Sequence, residues 1–121
     1  ISDFISRAAA EALENDYGVG ELQELFTKRG GVFREALAGA NDIRILNEDG
    51  AMYFMIDIRN ITQDAETFAF GLLEEEKLCV MPGDSFGPSA SGHIRISLCQ
   101  PEDKLREGAK RLKRFASNYS S

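Results

Sequence analysis

From His93 to Cys99 the chain alternates strictly, with apolar Ile94, Ile96 and Leu98 set between His93, Arg95, Ser97 and Cys99. Side chains of a β-strand point to opposite faces in turn, so this run predicts a strand with one face in a core and Arg95 on the other. The segment before it, Pro82 to Gly92, carries glycines at 83, 87 and 92 and reads as a glycine-rich loop. Together they predict the rim of a site running directly into a strand that carries an arginine. A guanidinium on a rigid strand can grip a carboxylate through two parallel hydrogen bonds. Periodicity alone favours the plainer reading, a solvated residue on an exposed sheet face.

The rest of the chain supplies the elements around that strand. Ser2 and Asp3 can cap a first helix, with Ile5, Ala8, Ala9, Ala12 and Leu13 at helical spacing, and Asn15 to Gly20 ends it. Leu22, Leu25, Phe26, Phe33, Ala36 and Leu37 form the stripe of a second helix. Gly30 and Gly31 lie inside it, each costing about 1 kcal/mol relative to alanine, which predicts a bend or a break. Gly39 to Asp42 reads as a stop. Strands at 43–47 and 51–58 then flank the turn Asn47-Glu48-Asp49-Gly50, so an antiparallel hairpin is the economical pairing.

The second of these strands is apolar on both faces, with Met52, Phe54, Ile56 and Ile58 on one and Tyr53 and Met55 on the other, which predicts a central strand covered on both sides. Thr62 or Asp64 can cap a third helix that buries Ala65, Phe68, Ala69 and Leu72 and leaves Glu74, Glu75 and Glu76 in water. Leu78 to Met81 predicts a short strand stopped by Pro82-Gly83. Pro101 suits the start of a closing helix, with Glu102 and Asp103 at its positive end and Lys110, Arg111, Lys113 and Arg114 at its negative end. This order predicts an α+β domain: a sheet of about four largely antiparallel strands, with helices packed on one face and the Arg95 face only partly covered.

Composition bounds the function. A chain of 121 residues, 43% hydrophobic and 28% charged, is expected to form a single domain over 1–121, soluble and cytoplasmic. No apolar run is long enough to span a membrane and no signal peptide is visible, so no membrane association is expected. A net charge of −6 argues against nucleic-acid binding. Cys79 and Cys99 are expected in strands, reduced and buried. One histidine and no close cysteine pair leave a zinc site without ligands, so no metal is expected. Ser85, Ser89 and Ser91 lack a nucleophile elbow, and the glycines do not follow the dinucleotide-binding spacing.

The run Pro82-Gly83, Phe86-Gly87, then Gly92-His93-Ile94-Arg95-Ile96-Ser97 resembles the closing segment of class I/II pyridoxal-phosphate aminotransferases, the aspartate-aminotransferase-like fold type I. Further matches follow in the same order. Asp49 to Ile58 resembles that family's small-domain strand pair, Phe68 with Leu72-Leu73-Glu74-Glu75 the next helix, and Phe4 to Leu13 the helix soon after the cofactor lysine. Ile56-Asp57-Ile58-Arg59 and Phe86-Gly87-Pro88-Ser89-Ala90 are most similar to the arginine–pyruvate transaminase subgroup.

The resemblance implies the C-terminal small domain of such an enzyme, with amino acids and 2-oxo acids as substrates and pyridoxal 5'-phosphate as cofactor. Arg95 would bind the substrate α-carboxylate. Tyr53 would approach the substrate, with plain core packing as the alternative, and Phe86 and Gly87 would border the same site. Lys28, Lys77, Lys104, Lys110 and Lys113 do not resemble the cofactor-lysine segment. The catalytic lysine and the phosphate cup are therefore expected in a large domain upstream of Ile1, in a homodimeric enzyme. The isolated piece is expected to be inactive and to bind no cofactor. His93 is expected to be structural, because the family moves its protons with the lysine. The competing expectations are a stand-alone regulatory module binding a small carboxylate or amino acid, and a sheet-mediated oligomerisation domain.

Overall fold

The alternating run folds as an extended strand, and its neighbours set the topology. The computed structural model describes residues 1–46 and 50–119. Its elements are α1 (Asp3–Glu14), α2 (Val19–Leu37), β1 (Arg44–Ile45), β2 (Tyr53–Asp57), α3 (Ala65–Glu76), β3 (Met81–Pro82), β4 (His93–Ser97) and α4 (Glu102–Asn118). Two 3-10 turns, Gly83–Phe86 and Pro88–Ala90, join β3 to β4. The four strands form one antiparallel sheet in the order β1-β2-β4-β3. The α+β class and the sheet are as the sequence predicts. β4, the last strand in the chain, inserts between β2 and β3, and α3 carries the chain across it.

Local chemistry explains the helix ends. Asp16 Oδ1 accepts the backbone N–H of Val19 at 2.6 Å and starts α2. Asp64 does the same for α3, accepting the Thr67 N–H at 3.0 Å. Lys77, at φ +54, closes α3 by donating its backbone N–H to Leu72 and Leu73 carbonyls.

One core holds these elements together. Phe54, Ile56, Ile94 and Ile96 face Phe33 and Leu37 of α2, Phe68 and Leu72 of α3, and Leu105, Leu112 and Phe115 of α4. Phe68 meets Phe115 edge-on, with centroids 5.0 Å apart. Burying each such side chain stabilises by about 1.5–3 kcal/mol. α1 contributes nothing to this core, since none of its residues is buried.

Several expectations are corrected. α2 runs unbroken through Gly30 and Gly31. Gly30 is buried against the sheet, and a Cβ there would lie 2.9 Å from Phe54 Cζ, so the glycine admits close packing and does not bend the helix. The second face of β2 is open among the described residues: Tyr53 is exposed and Met55 half-buried. The strands are shorter than their apolar runs. Cys79 precedes β3 and Cys99 follows β4, so both are exposed free thiols and neither is buried.

Glu76 does not sit in open water. Arg114 Nε donates to its Oε1 at 2.8 Å and Arg111 Nη1 to its backbone carbonyl at 3.0 Å, so the basic run ties α4 to α3. That hydrogen bond from Arg114 holds the Glu76 carboxyl below the usual range. α4 continues past those basic residues to Asn118, and its last turn carries no basic residue. Of the predicted turn Asn47-Glu48-Asp49-Gly50, residues 47–49 lie outside the described residues, but the flanking strands pair antiparallel, with Ile45 opposite Ile56.

Candidate functional site

The register of the sheet decides what surrounds Arg95. Met55 of β2 and Met81 of β3 lie directly opposite it on either side, and Tyr53 pairs with Ser97 two residues along. Residues opposite one another in an antiparallel pair share a face, so Tyr53, Met55, Met81, Arg95 and Ser97 occupy the face turned away from the helices. The Arg95 guanidinium carbon lies 4.3 Å from the centroid of the Tyr53 ring and 4.3 Å from that of Phe86. Each such stack contributes about 0.5–1 kcal/mol at a partly exposed site. Three of the side chains singled out in the sequence therefore meet. Tyr53 is 40% exposed, which excludes the core-packing alternative for it.

Phe86 reaches Arg95 because of the turns before β4. The chain leaves β3 into the 3-10 turn Gly83–Phe86, and Gly87, at φ +111, redirects it into Pro88–Ala90. That φ lies in the region where L side chains are disfavoured. The rim is thus two tight, hydrogen-bonded turns, with Gly87 N–H on the Asp84 carbonyl at 3.2 Å and Ala90 N–H on the Gly87 carbonyl at 3.0 Å. Gly87 itself supplies the change of direction that follows the Phe86 ring.

Arg95 makes no hydrogen bond or ion pair among the described residues; its recorded partners are the two rings. Its planar fork of N–H donors is therefore available to an acceptor from outside, and a carboxylate is the group that matches it in shape and charge.

The other end of the same face is closed. Asp57, paired across the sheet with His93 and Arg44, is buried. Its Oδ1 accepts Arg59 Nε at 2.9 Å and the Arg59 backbone N–H at 3.0 Å, while Oδ2 accepts Arg59 Nη2 at 2.8 Å and Arg44 Nη2 at 3.1 Å. The Arg59 hydrogen bond, aided by that from Arg44, holds the Asp57 carboxyl well below the usual range despite its burial. His93 is buried beside it, with Nδ1 2.7 Å from the Ser91 carbonyl and Nε2 3.9 Å from Asp57 Oδ1. His93 shares the face of Arg95 but not its opening. The Asp57 cluster is absent from the site residues singled out in the sequence; the signal available was an acid set in the apolar run Ile56-Asp57-Ile58 beside Arg59.

Two cavities lie away from Arg95: one, of about 760 Å³, runs between α2 and the start of β2 and is lined by Leu22, Phe26, Met52 and Phe54 among others; another, of about 690 Å³, lies beside Asp57 and Arg59. Arg95 lines neither.

The residues present do not fit pyridoxal phosphate. Lys28 is paired with Glu102 at 2.8 Å, Lys77 Nζ donates to the Glu74 carbonyl at 2.7 Å, and Lys113 donates to the Ala38 carbonyl. Lys104 and Lys110 are exposed on α4. None stands on the Arg95 face, so this chain offers no amine to carry the cofactor there. Among the described residues no cluster of His, Cys, Asp or Glu could hold a metal ion, and no helix is long and apolar enough to cross a membrane.

An open antiparallel sheet with helices on one face and a strand-borne arginine, flanked by aromatic rings, on the other defines a small α+β domain. The chain belongs to the class I and II aminotransferase family, whose model matches residues 1–112. It is 39% identical over 111 residues to an arginine–pyruvate transaminase from Pseudomonas aeruginosa, a match covering 91% of this chain and 28% of that protein. It is 32% identical to an aspartate aminotransferase from Sulfurisphaera tokodaii, covering 94% of this chain and 30% of that one.

Solved structures agree. An aromatic aminotransferase from Pyrococcus horikoshii superposes with a TM-score of 0.77 at 29% identity, over 92% of this chain and 30% of that one. An aspartate aminotransferase from Thermotoga maritima gives 0.76 at 27% identity, over 98% of this chain and 29% of that one. The chain thus spans about three tenths of the length of these relatives.

Proposed function

We propose that residues 1–121 are the small domain of a pyridoxal-phosphate-dependent aminotransferase that exchanges an amino group between an amino acid and a 2-oxo acid, and that Arg95 binds the substrate α-carboxylate. The observation that carries the reading is the state of Arg95: held on a central strand, flanked by two rings, and without a polar partner among the described residues. A carboxylate docked on its fork would gain paired, charge-assisted hydrogen bonds and would fix where the amino group lies. The cofactor, when bound, supplies the electron sink for amino transfer. Its lysine and phosphate contacts are assigned to a large domain preceding this one, a division supported by relatives more than three times as long. Family membership also supports a cytoplasmic homodimer, and the similarity to an arginine–pyruvate transaminase makes arginine and pyruvate the first substrates to try.

The test is kcat/KM of the full-length enzyme for amino acids and for a primary amine lacking a carboxylate, in wild type, Arg95→Lys and Arg95→Ala. Removing one partner of a desolvated charge pair costs about 2–5 kcal/mol, so Arg95→Ala should lose amino-acid turnover and leave the amine nearly unchanged. Lysine should restore only part, because an ammonium cannot make the paired contact. Unchanged amino-acid turnover in Arg95→Ala, or an equal loss for the amine, would refute the role.

A further inference from the structure

Tyr53 and Phe86 reach the same guanidinium from different sides of β4. Tyr53 comes from β2, on one side, and Phe86 from the 3-10 turn that follows β3, on the other. A free arginine side chain rotates about several bonds, and ordering it to receive a ligand costs conformational entropy. Here that ordering is done before any ligand arrives. The guanidinium carbon lies 4.3 Å from the centroid of each ring, so the rings shield two sides of the group and displace water there without offering a carboxylate-like acceptor for its N–H donors. The neighbours in register, Met55 and Met81, are apolar as well and offer only weak thioether acceptors, with no charge to draw Arg95 aside.

We propose that Tyr53 and Phe86 are positioning residues which act through Arg95, holding its plane so that a single carboxylate is received edge-on; this rests on the carboxylate role given to Arg95 above. The two rings are not equivalent. Tyr53 stands on a paired strand and sets the plane, whereas Phe86 stands on a turn whose direction depends on Gly83 and Gly87, so the rim enters carboxylate recognition through this one side chain. The tyrosine hydroxyl has no part in the stack.

Both side chains are accessible, Tyr53 at 40% and Phe86 at 46% exposure, so their truncation leaves the core intact. In the full-length enzyme, Tyr53→Leu and Phe86→Leu should each raise KM for amino acids by about 2- to 5-fold, the range expected for loss of a cation–π contact at a partly exposed site, with kcat changed less. Turnover of the carboxylate-free amine should hold, and Tyr53→Phe should retain wild-type KM because it keeps the ring. Arg95→Ala, measured in parallel, separates the two readings. If Arg95→Ala abolishes discrimination between amino acid and amine while both leucine variants keep it, the positioning role is overturned and the role of Arg95 stands. If Arg95→Ala keeps the discrimination too, both fall. A Tyr53→Phe variant as impaired as Tyr53→Leu would also overturn the proposal, since the hydroxyl and not the ring would then be responsible.

Discussion

Asp57 receives Arg59 on both of its carboxylate oxygens, Nε on Oδ1 at 2.9 Å and Nη2 on Oδ2 at 2.8 Å, two residues apart on one chain. The pair lies where β2 ends, beside His93 of β4 and two residues along the sheet from Arg95. It also makes stability depend on pH in a definite direction. The folded Asp57 carboxyl is held below its ordinary value, chiefly by the Arg59 hydrogen bond. Its stabilising contribution is therefore fully present above the ordinary carboxylate range and is lost as pH falls towards the depressed folded value.

Asp57→Asn should lower unfolding free energy at neutral pH by about 2 kcal/mol, the scale of hydrogen bonds to a charged group. Below the ordinary carboxylate range the gap between wild type and variant should narrow. Urea melts at a series of pH values measure this, and a gap that stays constant down the acid limb would show that Asp57 does not act as an ionised acceptor.

The two central glycines of α2 should respond with opposite signs. A Cβ at Gly30 would lie 2.9 Å from Phe54 Cζ, whereas one at Gly31 would meet nothing within 4 Å. Gly31→Ala should stabilise by about 0.5–1 kcal/mol, the helix-propensity difference. Gly30→Ala gains the same propensity but overpacks the core, at a cost of about 1–3 kcal/mol, and should be neutral to destabilising. Thermal melts of the two variants decide this, and a Gly30→Ala as stable as Gly31→Ala would mean that α2 does not approach Phe54 closely.

These residues also mark how far the sequence could be read. β4 was legible because alternation is a local signal, and the cap of α3 was narrowed to Thr62 or Asp64, of which Asp64 is the one that accepts the N–H three residues on. The helices were legible as stripes, but whether Gly30 breaks α2 depends on Phe54, in another element. The meeting of Arg95, Tyr53 and Phe86 was not legible from periodicity, which placed Arg95 and Tyr53 on strand faces and left Phe86 in a loop. It follows from β4 inserting between β2 and β3, a long-range pairing. The same insertion brings Asp57 beside His93. The expectation of buried cysteines failed because the strands end sooner than the apolar runs do, and Glu76 was read as solvated because its partner Arg114 is 38 residues away.

The rim should be intolerant at Gly83. A Cβ there would lie 1.9 Å from the Ala90 carbonyl oxygen and 2.7 Å from that of His93, both backbone atoms that cannot rotate aside. Gly83→Ala should therefore displace the turn that carries Phe86, lowering the melting temperature and, given the proposed aminotransferase role, raising amino-acid KM in the full-length enzyme at least as much as Phe86→Leu. Wild-type KM in a folded Gly83→Ala variant would show that the turn does not set the position of the ring.

The last prediction concerns α1. It is 12 residues long and buries none of them, with Phe4 80% and Leu13 89% exposed. A helix of that length is marginal in water without packing, and an uncovered apolar stripe favours association. In the chain described here, α1 amides should exchange with solvent orders of magnitude faster than those of α4, whose Leu105, Ala109, Leu112 and Phe115 are in the core. Deleting residues 1–15 removes no core contact, so the melting temperature should move by less than about 4 °C, the shift that about 1 kcal/mol would produce in a domain of this size. Binding of a hydrophobic dye and concentration-dependent association should both fall. A truncated chain that melts many degrees lower, or α1 amides protected as strongly as those of α4, would mean that α1 packs against the domain and that its apolar stripe is covered within this chain.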